Sequence, residues 1–424
     1  MKRENYVIKG NFIYSKNKNE MICKENAYLV YEDGKCAGIY EILPKKYEGF
    51  ELDDFCDDVI IPGMSDLHVH APQYTYRGLG MDMELIDWLN VHAFPEESKY
   101  ADLSYAEKAY GIFVKDLVNT TTTRACIFAT LHKEATLLLM ELLDKAGMMG
   151  YVGKVNMDRN SPDYLREEGP KEAAKITEEW FLEAERFENI RQILTPRFIP
   201  SCSDELMRCL SELQKKYEIP MQSHLSENFG EIDWVKELCP ESKFYGDAYH
   251  QFEMFGGDCP TIMAHCVHSS EEEIQLMKEQ GVFVAHCPQS NTNICSGIAP
   301  VRKYMEEGLK MGLGSDVAGG AHLSILRAMT DAIQCSNLRW RMYDQSFAPL
   351  KFEDAFYLAT KGGGEFFGKV GSFEEGYEMD LVVLDDSNLP HPQELTLKER
   401  LERITYLGDD RNVKHKISGG NVVK

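Results

Sequence analysis

The hydrophobic period of the chain changes twice. Over residues 1–60 short apolar runs alternate with polar positions and turns. Tyr6-Val-Ile, Asn11-Phe-Ile-Tyr and Ala27-Tyr-Leu-Val-Tyr read as strands, and Glu32-Asp-Gly-Lys as a hairpin turn. From residue 62 onward strand-like runs alternate with amphipathic stretches of helical period. The predicted strands are Ile60–Leu67, Thr121–Phe128, Met149–Met157, Gln192–Ile199, Pro220–His224, Thr261–His265, Val282–His286 and Lys310–Gly314. Between them, Thr177–Asn189 and Ser270–Gln280 read as helices, the second opening on Ser269-Ser-Glu-Glu-Glu, a cap followed by acids in the first turn. Past residue 368 the text returns to β, in Gly371-Ser-Phe, Asp380-Leu-Val-Val-Leu-Asp, Arg403-Ile-Thr-Tyr-Leu and Val413–Val423. Eight strands alternating with helices predict an α/β chain built on a (β/α)8 TIM-type barrel over 62–368. The flanking segments, 1–61 and 369–424, predict the two halves of a small, discontinuous, β-sandwich-like domain.

Composition narrows the classes. The 424 residues are 43% hydrophobic, which suits a globular enzyme, and no run approaches the roughly 18 apolar residues of a membrane helix. Basic residues near Met1 are followed by no apolar segment, so no signal peptide is expected and a cytoplasmic location is. A formal charge of −23 disfavours nucleic acid and anionic membrane as partners and leaves a small neutral molecule open. The twelve cysteines contain no Cys-x-x-Cys pair and read as reduced, largely buried thiols.

In a parallel barrel, functional groups gather at the carboxyl ends of the strands. In order, those ends offer His68 and His70, then Arg197 and Phe198, then His224 followed by Glu227, then His265, then Asp316. Strand period two puts His68 and His70 on one face. Imidazoles and a carboxylate suit a divalent cation with one position open to water, whose pKa the cation lowers to about 7. The expected ligands are His68, His70, His224 and Asp316. Glu227, three residues past a ligand, is placed to shuttle protons; His265 either joins the ligands or hydrogen-bonds the water, and Asp316 can also take the water proton. His286 reads as structural, and the sequence does not decide the place of His268. His132-Lys-Glu134 reads as a solvated helix start, since the Pro-Cys-x-x-Cys half that would complete a zinc signature with it is missing. Gly363–Lys369 lacks the Ser or Thr of a phosphate loop and reads as a helix end. Gly78-Leu-Gly80 after the first strand suggests part of a mobile cover.

Pro62-Gly-Met-Ser-Asp-Leu-His-Val-His70, His265-Cys-Val-His, His286-Cys-Pro-Gln-Ser-Asn and Gly314-Ser-Asp316 resemble the amidohydrolase superfamily in its branch of mononuclear-metal deaminases. Trp88-Leu-Asn-Val-His-Ala-Phe-Pro95-Glu-Glu97 resembles the same branch. Two narrower strings, His70-Ala-Pro-Gln73-Tyr and Pro196-Arg-Phe-Ile-Pro-Ser-Cys-Ser, resemble the guanine deaminase family within it. That resemblance implies hydrolysis of the exocyclic amine of guanine, with 8-oxoguanine as the alternative substrate. It implies that Gln73 and Arg197 hydrogen-bond a purine and that Phe198 lies against its ring, with His70, His224, Glu227 and Asp316 also touching substrate. It further implies one zinc per chain, which iron could replace, and a homodimer. A two-metal amide hydrolase would need a bridging lysine where the fourth strand offers Arg197.

Overall fold

Strands from both ends of the chain share one sheet. In the computed structural model, which describes residues 2–424, β1 (Tyr6–Asn17), β2 (Glu20–Glu32) and β3 (Lys35–Tyr40) form an antiparallel meander. β4 (Glu51–Pro62) runs parallel to β1. The parallel strands that follow are β5 (Met64–His70), β6 (Thr122–Phe128), β7 (Met149–Gly153), β8 (Val155–Asn156), β9 (Ile190–Gln192), β10 (Thr195–Pro196), β11 (Met221–Leu225), β12 (Thr261–His265), β13 (Phe283–His286) and β14 (Lys310–Leu313). The chain closes with β15 (Leu381–Leu384), β16 (Val413–Ser418) and β17 (Asn421–Val422). The terminal strands make one seven-stranded sheet, ordered β17-β16-β15-β4-β1-β2-β3, with register shifts in β1 and β2 and a shared apolar core.

Several segments depart from expectation: Met149–Met157 and Gln192–Ile199 are each interrupted, and Gly371-Ser-Phe is not a strand. Ile60–Leu67 is not one strand. Val59–Pro62 pairs antiparallel with β15 in the terminal sheet, and the chain then turns at Gly63 into β5. A Cβ at Gly63 would sit 2.0 Å from Thr123 Oγ1, so only glycine lets the two strands meet there. Arg403–Leu407 is helical, the end of Leu397–Leu407, whose start is fixed by a reciprocal cap between Thr396 and Glu399. The helix expected at Thr177–Asn189 spans Pro170–Ala184, while Glu271–Gln280 begins where expected, with Ser270 accepting from the Glu273 amide.

Among the parallel strands each position pairs with the next in chain order. β5, β6, β7 and β9 pair in turn, β8 pairs with β10, Leu194 bridges Met221, and β11 to β14 follow. The chain leaving β14 returns to β5: the Asp316 amide donates to the His68 carbonyl at 2.8 Å, and the His70 amide to that of Val317 at 3.1 Å. Leu67, Cys126, Ile193, Ile262, Ala264, Phe283 and Ala285 from these strands pack against one another. The terminal sheet is tied to this body by charge as well as by apolar contact. Lys416 Nζ donates to the carbonyls of Leu117, Thr120 and Thr122, each at 3.0 Å, and Arg124 forks onto Asp380 at 3.0 and 2.7 Å.

Candidate active site

The site is built where strands end. His68 and His70 leave β5 on one face, with Nε2 atoms 3.2 Å apart, and His224 of β11 brings its Nε2 to 3.3 Å from that of His70. Asp316 Oδ1 lies 3.2 Å from His68 Nε2 and 3.5 Å from His70 Nε2. Buried Asp66 aligns the two strands that carry these groups: it accepts from the amides of His68 (3.2 Å) and Ser315 (3.0 Å) and from the Ser315 hydroxyl (2.5 Å). Burial pushes its carboxyl up to about 6 against those hydrogen bonds. Asp316 and His265 both adopt left-handed backbone, φ 43° and 73°, a conformation costly for residues with a Cβ and found where function demands it.

These donors suit a divalent cation. His224 Nδ1 donates to the Arg197 carbonyl at 2.6 Å, which leaves its Nε2 a bare lone pair aimed at His70. A proton on His70 Nε2 could serve His224 or His68, not both, and the Nδ1 atoms of His68 and His70 are buried without a partner. Burial, reinforced by neighbouring imidazoles, holds His70 and His224 well below the usual histidine range, so both are neutral ligands in waiting. Burial alone would raise Asp316, but His68, His265 and His70 outweigh it and hold the group well below the usual carboxylate range. His68, His70 and Asp316 offer ligand atoms within 4.8 Å of one another, as do His68, His224 and His265.

Glu227 lies beside this cluster. Its Oε2 is 3.4 Å from His265 Nε2, and its Oε1 accepts from the Ser296 hydroxyl at 3.1 Å. Burial, with the Asp316 charge adding, pushes its carboxyl up to about 8. His265 donates from Nδ1 to Asn291 Oδ1 at 2.8 Å, which turns its Nε2 toward Glu227 and Asp316. Behind Glu227, Glu231 accepts from the Glu227 amide at 3.1 Å and from the Tyr245 hydroxyl at 2.8 Å; burial, with the Glu227 charge, pushes it up to about 7.

The opposite wall is polar and aromatic. Arg197 and Phe198 follow β10, and Gln73 follows His70 in a 3-10 turn. Both terminal nitrogens of Arg197 meet the carboxylate of Glu97, at 2.6 and 3.0 Å. Gln73 Nε2 also donates to Glu97, at 2.8 Å. A cavity is lined by Gln73, Arg197, Phe198, His224, Glu227, His265 and Asp316, together with Leu85, Trp88 and Leu89. Every site residue singled out from the sequence thus lies at this cavity or, for His68, in the ligand cluster beneath it. His286 is buried outside the ligand clusters, its pKa taken down to about 3 by burial and by His265. His268 stacks on Phe229 and bonds the Ser296 carbonyl at 2.7 Å, away from the cavity lining. His132 caps a helix, as expected, but its ring is half-buried and not freely solvated. Sequence reasoning passed over Asp66, Glu97, Glu231, Asn291 and Ser296. Of these, Asp66, Glu97 and Asn291 stood inside quoted motifs without being given a role, while Glu231 and Ser296 lay outside them.

Residues 59–423 match the amidohydrolase family. The chain belongs to that family. Among curated amidohydrolase relatives, a guanine deaminase of Dictyostelium discoideum is 42% identical over 381 residues, covering 88% of this chain and 84% of its own. A guanine deaminase of Mus musculus is 36% identical, covering 98% and 96%. A solved guanine deaminase from C. acetobutylicum, with guanine bound in its active site, superposes with a TM-score of 0.96 at 48% identity, over 99% of this chain and all of that one. Amidohydrolases are metal-dependent, in keeping with the imidazole and carboxylate cluster.

Proposed function

We propose that the chain hydrolyses guanine to xanthine and ammonia. One observation carries this reading: a candidate metal cluster, the buried Glu227 carboxyl and the wall of Gln73, Arg197 and Phe198 meet at a single cavity. The guanine-bound relative at 48% identity supports it. The parallel strands, closed from β14 back to β5 around their own apolar interior, support a (β/α)8 barrel. The terminal sheet then serves as the small discontinuous domain.

His68, His70, His224 and Asp316 would hold one zinc ion, for which iron could substitute. Such a cation supplies Lewis acidity that makes a water acidic near neutral pH. Arg197 and Gln73 hold the purine edge, and Phe198 lies against the ring. Water adds to C2 while Glu227 delivers a proton to the adjacent ring nitrogen. Glu227 then recovers the proton of the added water and passes it to the exocyclic nitrogen. The C2–N bond breaks, ammonia leaves, and the hydroxyl proton remaining on the added oxygen returns to Glu227, so that the oxygen stays as the C2 carbonyl of xanthine and Glu227 is protonated again. His265, turned by Asn291, keeps a ring nitrogen facing Glu227 and Asp316 throughout.

The test is ultraviolet monitoring of guanine, 8-oxoguanine and adenine with zinc-reconstituted protein, ammonia being assayed in parallel. Guanine is consumed fastest, with one ammonia per turnover. Glu227→Gln lowers kcat about a thousand-fold, within the range of a lost general acid–base, with metal content unchanged. Absence of guanine turnover in the metal-loaded parent overturns the substrate assignment.

A further inference from the structure

We propose that Glu97 is the specificity-determining positioning residue of this site, selecting which edge of Arg197 and which face of Gln73 the substrate meets. The proposal rests on the guanine reading above and deepens it.

A guanidinium presents two kinds of paired donors: the end-on edge made by both Nη atoms, and the side edge made by Nε and one Nη. Glu97 occupies the end-on edge, at 2.6 and 3.0 Å. Among the described residues no protein group accepts from Arg197 Nε, so the side edge is the one left to a ligand. Two parallel N–H groups on that edge match two neighbouring acceptors, as O6 and N7 provide on guanine. They mismatch the donor–acceptor pair of a 6-aminopurine.

The same carboxylate orients Gln73. Glu97 has only acceptors, so the Gln73 NH2 must turn toward it, at 2.8 Å. From the other side the Ala318 amide donates to Gln73 Oε1 at 3.4 Å. The amide is therefore fixed from both ends, and its outward pattern is not free to flip to suit another base. All three side chains are buried, Glu97 to 1% exposure and Arg197 to 3%. Burying that cation requires its partner, so the arrangement is held whether or not substrate is present.

The discriminating experiment compares kcat/KM for guanine and 2,6-diaminopurine, both of which carry the 2-amino leaving group, in the zinc-loaded parent, Glu97→Gln and Glu97→Asp. The parent prefers guanine. In Glu97→Gln the preference falls at least ten-fold, because the guanidinium can rotate and the amide can flip. Glu97→Asp keeps the charge, serves also if Glu97→Gln fails to fold, and loses part of the preference. With 7-deazaguanine, which lacks the N7 acceptor, the parent loses far more activity than Glu97→Gln does. A merely structural role would lower both substrates in parallel, so an unchanged ratio in the variants overturns the proposal while guanine turnover by the parent still stands. Failure of the parent to turn over guanine overturns the underlying reading and the edge assignment with it.

Discussion

The two walls of the cavity are held by different means. On the ligand wall each side chain is placed by backbone. His68, His70, His224 and His265 lie within strands, and Asp316 is pinned by its own amide to the His68 carbonyl. On the facing wall Gln73, Glu97 and Arg197 come from three separated segments, and their side chains hold one another. The first wall is preformed and its members are independently anchored. The second is a mutual structure in which losing one member releases the others.

The largest effect that tests this contrast is His224→Ala. It removes a proposed ligand without disturbing β11, so bound zinc measured by mass spectrometry falls below a tenth of an equivalent, activity disappears, and the far-ultraviolet spectrum stays as in the parent. Retention of a full zinc equivalent would sink the ligand assignment. Arg197→Lys comes next. It keeps the charge and loses the fork, so kcat/KM for guanine falls about 10- to 100-fold with zinc retained. Combining it with Gln73→Ala sharpens the comparison: the double variant is less impaired than the product of the single losses predicts, by a coupling of about 1 kcal/mol or more. Additive losses would show the two residues to be as independent as the ligands.

The smallest effect is on stability. Glu231 keeps its proton in the folded chain to about pH 7, while the unfolded chain releases it near 4.5. Its contribution is whole below 4.5 and is lost as the pH climbs through 7. The melting temperature of Glu231→Gln therefore falls less than that of the parent between pH 5 and 7. Parallel curves for the two proteins would remove Glu231 from the pH response.

The same contrast decided what could be read from the sequence. Groups at strand ends follow from period two and the geometry of parallel strands, so the places of the clustered histidines, Asp316 and Glu227 were legible one by one. Glu97 was not, because its meaning depends on Arg197, 100 positions along the chain. The break at Gly63 was hidden because Val59–Pro62 and Met64–His70 are both fully buried and follow one another without a loop, although they belong to different sheets. The helix at Leu397–Leu407 did leave a signal: Thr396-Leu-Lys-Glu399 is a capping pattern, and it outweighed the β-branched Ile404 and Thr405.

The joint at Gly63 also sets a timetable for biosynthesis. β4 feeds β5, and so the first two histidines, without a linker, yet its antiparallel neighbour β15 lies more than three hundred residues later. At translation rates of about 5–20 residues per second, the open edge of β4 waits on the order of tens of seconds for its partner to leave the ribosome. An unpaired apolar edge is what chaperones bind and what aggregates recruit. The yield of active enzyme is therefore set in part by how well nascent β4 is shielded, a demand that the finished structure no longer displays.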